Sequence, residues 1–149
     1  IIAVIVALVI WGVYAFRNGN NDSCLNQAAS EMNIGGHENL DLHIHPELKI
    51  IILGEEEIIP ANIGIQGKIM RPIHTHDATN KIHIEAKCIR QFSLKEFFEI
   101  WGKKFNNNCI FEYCTNETNS LKVSVNDQLV LDPENLMLRD HDEIEIRYE

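Results

Sequence analysis

The stretch RPIHTHDATNKIHIE, residues 71–85, has the polar and apolar alternation of a β-hairpin. A two-residue turn at Thr79–Asn80 sets the predicted register of its two strands. The predicted pairs are His76 with His83 and His74 with Glu85. Side chains alternate along a strand and paired residues share a face, so one face should carry His74, His76, His83 and Glu85. The opposite face, which we expect to pack toward the core, carries Thr75, Ile82 and Ile84.

A second H-x-H pair, His43 and His45, repeats this pattern on another predicted strand. If that strand neighbours the hairpin, five imidazoles and one carboxylate converge. Imidazole with carboxylate is a donor set for Zn, Cu, Fe or Ni. The predicted ligands of a divalent transition metal, copper or zinc, are therefore His43, His45, His74, His76, His83 and Glu85. Three or four ligands make a site, so six candidates indicate either that some support the ligands of one ion or that there are two ions.

The chain has two further histidines, His37 in a polar segment and His141 in a predicted turn. We expect both to lie outside this group. The alternative interpretation of the group itself is a polar or pH-sensitive surface, because histidines on an exposed strand face need no metal. Two H-x-H pairs and one H-x-E, all in phase with strands, favour metal binding.

The other segments predict a mixed α+β domain with a single helix. Residues 92–105, FSLKEFFEIWGKKF, have apolar side chains at helical spacing, and Ser93 and Glu96 form a capping box. Before the helix, residues 41–60 predict a strand, a turn at Gly54 and a return strand. Other strands follow the helix, in a hairpin around Asn126–Asp127 and in a last strand. This order resembles a ubiquitin-like β-grasp domain, so a β-grasp-like fold is expected.

The chain opens with an uncharged apolar run, IIAVIVALVIWGVYAF, residues 1–16. A membrane crossing takes roughly 20 apolar residues, so we interpret the run as part of one transmembrane helix, a single-pass anchor in the cell membrane. A signal peptide and a pilin-type helix are the alternatives. Residues 17–40 are rich in Asn, Gly and Ser, which predicts a polar stalk. Residues 41–149 are then the globular domain.

Charge and cysteine content bear on partners and compartment. A net charge of -9 disfavours a nucleic-acid partner, because phosphate binding needs a basic surface. Four cysteines and glycosylation sequons at Asn21 and Asn116 favour an oxidising, extracytoplasmic compartment. We expect at least one disulfide, with Cys109–Cys114 ahead of pairings that use Cys24 or Cys88.

Several motifs resemble a family of uncharacterised prokaryotic proteins that are membrane-anchored or secreted. Residues 43–102 carry most of them: HIHPELKIIILG, PANIGI, HTHD followed by IHIE, and FSLKEFFEIWG. A similar tail is VNDQLVLDPENLMLRDHDEI. The resemblance implies attachment to a membrane or secretion, and it implies no particular activity.

Three functions stay open at this point. The first is an extracytoplasmic module that captures, stores or hands on copper or zinc. The second is a metal-dependent enzyme, an oxygenase or a hydrolase, that uses the same histidines with an open coordination position. The third is a structural or interaction subunit that binds a partner protein in a membrane complex. The sequence contains no Gly-rich phosphate loop, no G-x-S-x-G and no H-E-x-x-H motif.

Overall fold

A computed structural model describes residues 24–149, so the predicted transmembrane run 1–16 lies outside the described residues. The described chain is a mixed α+β structure dominated by β-sheets, as the sequence predicts. Among these residues no helix is both long enough and apolar enough to cross a membrane. The elements before the helix are β1 (Leu42–Ile44), β2 (Glu47–Ile52), β3 (Glu55–Glu57), β4 (Ile65–Gln66), β5 (Ile69–Met70), β6 (Ile73–His74) and β7 (His83–Ala86). The helix and the later elements are α1 (Leu94–Trp101), β8 (Phe105–Asn106), β9 (Cys109–Ile110), β10 (Tyr113–Cys114), β11 (Leu121–Val125), β12 (Gln128–Leu129), a 3₁₀ turn (Pro133–Asn135) and β13 (Glu143–Tyr148).

The largest sheet has five strands in the order β12-β11-β13-β2-β3. The neighbours β13 and β2 are parallel, and the other neighbouring pairs are antiparallel. Buried Leu48 and Ile50 alternate with exposed residues in β2, and buried Ile144 and Ile146 alternate with more exposed ones in β13. This alternation places one face of the sheet against the hydrophobic core.

The helix α1 begins as the sequence predicts, but it ends at Trp101, before the end of the predicted range 92–105. Phe105 lies in β8 instead. The Ser93 hydroxyl accepts a hydrogen bond from the Glu96 N–H at 3.4 Å, and the Glu96 carboxylate accepts one from the Ser93 N–H at 2.8 Å. This capping box satisfies two N–H groups at the start of the helix. Gly102 ends the helix in the left-handed conformation, with φ +69°. The buried residues of the helix are Leu94, Phe97 and Phe98.

We expect Ser93→Ala to lower the free energy of unfolding by about 1 kcal/mol, because the Glu96 N–H loses its acceptor. The buried face of α1 stays unchanged in this variant. Urea denaturation followed by far-ultraviolet circular dichroism measures the difference. Ser120→Ala, in the connection before β11, is the control. Equal unfolding free energies for the two variants would contradict the prediction.

A three-stranded antiparallel sheet with the order β1-β7-β6 carries the histidine motifs. His43 in β1 pairs with Glu85 in β7, and His74 in β6 pairs with His83 in β7. These four side chains therefore share one face. The other face packs against the core, and its side chains are Leu42, Ile44, Ile73, Ile84 and Ala86.

The register of the β6–β7 hairpin differs from the prediction by two residues. The predicted partner of His74 is Glu85, whereas the structure pairs it with His83. The predicted two-residue turn at Thr79–Asn80 is also wrong, because residues 75–82 form a longer connection. A shift of two residues keeps each side chain on its face, since the side-chain period of a strand is two. The prediction that these polar side chains share one face is therefore correct, although the predicted register is wrong.

Long-range hydrogen bonds explain this longer connection. The Thr75 hydroxyl donates to the Pro60 carbonyl at 2.8 Å and accepts from the Ile63 N–H at 3.0 Å. The Asn80 carbonyl accepts from the Leu48 N–H in β2 at 2.8 Å. Both ends of the connection are thus held by other parts of the chain, and the two strands cannot continue to a tight turn.

The other predicted turns have the expected conformations. Asn126 and Asp127, with φ +51° and +64°, connect β11 to β12 as a two-residue hairpin turn with positive φ at both positions. Gly54, with φ +91°, lies in the turn between β2 and β3. Pro46 separates β1 from β2, so the predicted first strand is two strands in different sheets.

All four cysteines are disulfide-bonded, as Cys24–Cys88 and Cys109–Cys114. The prediction of at least one disulfide is confirmed, and the favoured pair Cys109–Cys114 is one of the two that form. Cys109 and Cys114 are paired residues of the β9–β10 hairpin, which brings their side chains together.

Residues 24–40, which the sequence predicts to be part of a stalk, pack against the domain. The disulfide from Cys24 to Cys88 holds one end of this segment. The Asn33 side chain accepts a hydrogen bond from the Met70 N–H at 3.0 Å. The segment also buries Ala29, Met32 and Ile34. The polar composition of the segment does not reveal these few apolar residues. Because they pack on the domain, the packing continues across the boundary predicted at residue 41.

Candidate metal centre

Six of the seven histidines converge with one carboxylate on the polar face of the β1-β7-β6 sheet. The rings of neighbouring members lie 4.6–6.0 Å apart between centroids. We call this set the histidine cluster; its members are His37, His43, His45, His74, His76, His83 and Glu85. All six side chains predicted from the sequence as ligands belong to it.

His37 is the member that the sequence analysis missed, and the prediction that it lies outside the group is wrong. Its Nδ1 lies 2.6 Å from Oε2 of Glu85, and its ring centroid lies 5.3 Å from that of His76. The packing of the segment 24–40 against the domain places His37 beside the sheet. The apolar residues and the cysteine in that segment were the available signal that it is not a free stalk. His141 has a side chain that is 86% exposed, and it pairs with Asp140 outside the cluster.

The described residues contain three groups that could hold a metal ion, all within the cluster. The first triad is His37, His74 and His76. The second triad is His43, His45 and His83. A central group, which combines one histidine from each triad with the carboxylate, is His74, His83 and Glu85. Within each group the ligand atoms all lie within 4.8 Å of one another.

Each H-x-H pair already has the spacing of two ligands on one ion. The Nε2 atoms of His74 and His76 are 3.2 Å apart, and those of His43 and His45 are 3.1 Å apart. Tetrahedral Zn with bonds of about 2.0–2.1 Å places two nitrogen ligands about 3.3 Å apart. Both pairs therefore have nearly the spacing of two nitrogen ligands on one ion.

Glu85 lies between the two triads and is 1% exposed. Its Oε2 is 2.6 Å from His37 Nδ1, and its Oε1 is 3.2 Å from His43 Nε2. His83 Nδ1 is 4.0 Å from the same Oε1. Among residues 24–149 its ion-pair partners are histidines, and neither a lysine nor an arginine contacts the carboxylate. A buried carboxylate is costly unless a cation compensates its charge, so this position favours a bound metal ion.

A backbone carbonyl fixes the orientation of the His74 ring. Its Nδ1–H donates to the Arg71 carbonyl at 3.0 Å, which leaves the lone pair of Nε2 directed toward His76. A backbone carbonyl on one ring nitrogen fixes the tautomer in which the other nitrogen is the ligand. Burial lowers the pKa of His74 from 6.5 to about 4. The ring is therefore neutral, as a ligand must be, throughout the physiological range.

Burial also lowers the pKa of His83 to about 4, with further contributions from His76 and His45. The pKa of His45 is lowered as well, first by burial and then by the charge of His43. These rings supply little positive charge to Glu85 near neutral pH. The three rings with lowered pKa values thus lie as neutral imidazoles near a buried carboxylate, a donor set that is suited to a divalent cation.

Comparison with known proteins does not assign this cluster to a family. No protein-family model, curated protein or solved structure matches the chain.

The donor set limits the chemistry that the cluster can support. Imidazole and carboxylate suit zinc and copper, and no cysteine is free to ligate since all four are in disulfides. Three histidines leave at least one coordination position of a four-coordinate ion for another ligand. The exposed members are His37, His43 and His76, so that position is reachable from solvent.

Proposed function

We propose that this protein is a membrane-anchored, extracytoplasmic metal-binding module that holds copper or zinc at the histidine cluster. The observation that carries the proposal is the buried Glu85 carboxylate, which is surrounded by imidazoles and has no lysine or arginine partner among the described residues. A divalent cation supplies the missing positive charge, and the imidazoles supply neutral ligands. The exposed side of the cluster allows the ion to be taken up and passed on.

The rest of the chain supports the location in this proposal. Two disulfides are typical of an oxidising compartment outside the cytoplasm. The apolar run 1–16 supplies the membrane anchor. We also infer a β-grasp fold for the five-stranded sheet. Its support is the parallel central pair β2–β13, the hairpin β2–β3 before α1 and the strand β11 after it.

A metal-dependent enzyme, an oxygenase or a hydrolase, is the second candidate function. The observation that favours it is the open side of the cluster, where His37, His43 and His76 are exposed and a bound ion can take a substrate or water as a further ligand. Turnover by the metal-loaded protein separates this candidate from a carrier, which instead transfers its ion to an acceptor without chemical change.

Metal titration of the full chain in mild detergent tests the proposed function. We expect Zn(II) and Cu(II) to bind the native protein at neutral pH. The variant His74→Asn/His83→Asn should bind at least about 100-fold more weakly, about 2.7 kcal/mol, because it removes one ligand from each triad. Asn at position 74 keeps a donor for the Arg71 carbonyl, so the local backbone is retained.

Isothermal titration calorimetry measures these affinities, and His141→Asn is the control. His141 is exposed and lies outside the cluster, so its loss should leave the affinity unchanged. Failure of the native protein to bind either metal would overturn the proposal. Equal affinities of the native protein and the double variant would show that binding occurs elsewhere.

A further inference from the structure

We infer that the histidine cluster is a dinuclear centre, in which each triad holds one metal ion and the Glu85 carboxylate bridges the two ions. This inference rests on the proposed function, and it adds the number of ions and the role of the carboxylate.

The two triads share no ligand. The first triad takes its histidines from the segment before β1 and from β6 with its following residues. The second takes them from β1 with its following residues and from β7. Six imidazoles exceed the four ligands of a tetrahedral ion. One ion would therefore leave close, unused pairs of ring nitrogens beside it, whereas two ions use all six.

The two carboxylate oxygens of Glu85 contact different triads. Oε2 of Glu85 contacts His37 in the first triad, and Oε1 contacts His43 in the second. Each oxygen thus faces a different triad. One oxygen per ion gives each ion three nitrogens and one oxygen, and a fifth position can still take a further ligand from the exposed side. A single ion would use only one of these directions.

The competing arrangement is one ion at the central group, His74, His83 and Glu85. This group takes one histidine from each triad, so it cannot form while both triads are filled. The two arrangements differ in the number of ions and in the residues on which each ion depends. Both differences can be measured.

The zinc content of the full chain, equilibrated with zinc in mild detergent and separated from free ion, tests the inference. We expect two zinc ions per native chain. The variant His37→Ala/His76→Ala removes two ligands of the first triad and should hold one ion. The matched variant His43→Ala/His45→Ala removes two ligands of the second triad and should also hold one. Elemental analysis gives the count, and His141→Ala is the control that should keep two ions.

Glu85→Gln tests the bridge. The amide keeps the size of the side chain but removes its charge, so we expect zinc to bind at least about 10-fold more weakly while the fold is retained. With Cu(II), the native protein should show the electron paramagnetic resonance of a coupled pair, including a half-field signal. Each paired-histidine variant should show an isolated ion instead.

The outcomes separate the inference from the proposed function. One zinc ion per native chain, unaffected by either pair of alanines, would overturn the dinuclear centre and leave metal binding in place. Two ions in the native chain and in both variants would overturn the assignment to the triads. No bound zinc in the native chain would overturn both.

Discussion

The metal-free protein should lose several kcal/mol of stability between pH 6.5 and pH 4. Burial lowers the pKa of both His74 and His83 in the fold to about 4, whereas an unfolded histidine titrates near 6.5. Between these values the unfolded chain binds more protons than the folded one, so the free energy of unfolding falls as the pH falls. The stabilisation is complete above pH 6.5 and is lost by pH 4.

The size of this loss follows from the pKa difference. One pKa unit corresponds to about 1.4 kcal/mol, so His74 contributes about 3 kcal/mol. His83 contributes less, because its side chain is 20% exposed and solvent screens part of the effect. A loss of this size is a large fraction of the stability of a typical domain, about 5–15 kcal/mol. Bound metal should shift the loss to lower pH, because protons then compete with the ion.

Urea denaturation in the presence of a chelator, at several pH values from 7.5 to 4, measures this loss. His74→Asn/His83→Asn removes both titrating groups, so its stability should depend less on pH in this window. His141→Asn keeps both groups and should follow the native profile, because His141 is exposed. An identical pH profile for the native protein and the double variant would contradict the prediction.

The sequence predicts the faces of the site better than its register. The histidines of β6 and β7 group correctly because alternation depends only on local strand geometry. Their pairing depends on the Thr75 hydroxyl and on the Asn80 carbonyl, whose partners are Pro60, Ile63 and Leu48. No local pattern contains these contacts. The capping box of α1 is predictable for the opposite reason, since both of its partners lie within one helical turn.

His37 shows a second limit of reasoning from the sequence. Composition places it in a polar linker, and composition averages over the few residues that decide the packing. One disulfide to Cys88 and three buried apolar side chains fix the segment 24–40 on the domain. His37, the seventh member of the cluster, therefore contacts Glu85 although the two residues are 48 positions apart in the chain. The hydrophobic periodicity of the sequence does not reveal tertiary contacts of this kind.

Gly64→Ala should lower the free energy of unfolding by about 3 kcal/mol and weaken metal binding at least about 10-fold. Gly64 has φ +73°, and a left-handed conformation costs an alanine roughly 1–2 kcal/mol. A Cβ atom at this position would also lie 2.5 Å from the Ile73 carbonyl oxygen and 3.2 Å from His74 Cβ. The added methyl group must therefore displace β6, and displacement of that kind adds roughly 1–3 kcal/mol.

Gly67→Ala is the matched control for this variant. Gly67 has nearly the same conformation, with φ +60°, but a Cβ atom there meets nothing within 4 Å. We expect it to cost only the conformational term of roughly 1–2 kcal/mol and to leave metal affinity unchanged. The difference between the two variants isolates the close approach of Gly64 to the strand that carries His74. Equal unfolding free energies and equal metal affinities for the two variants would show that this approach does not position the histidine. A larger loss of unfolding free energy and of metal affinity in Gly64→Ala would show that Gly64, in the PANIGI motif at residues 60–65, supports the metal centre. This glycine lets the 60–65 turn pack directly against β6.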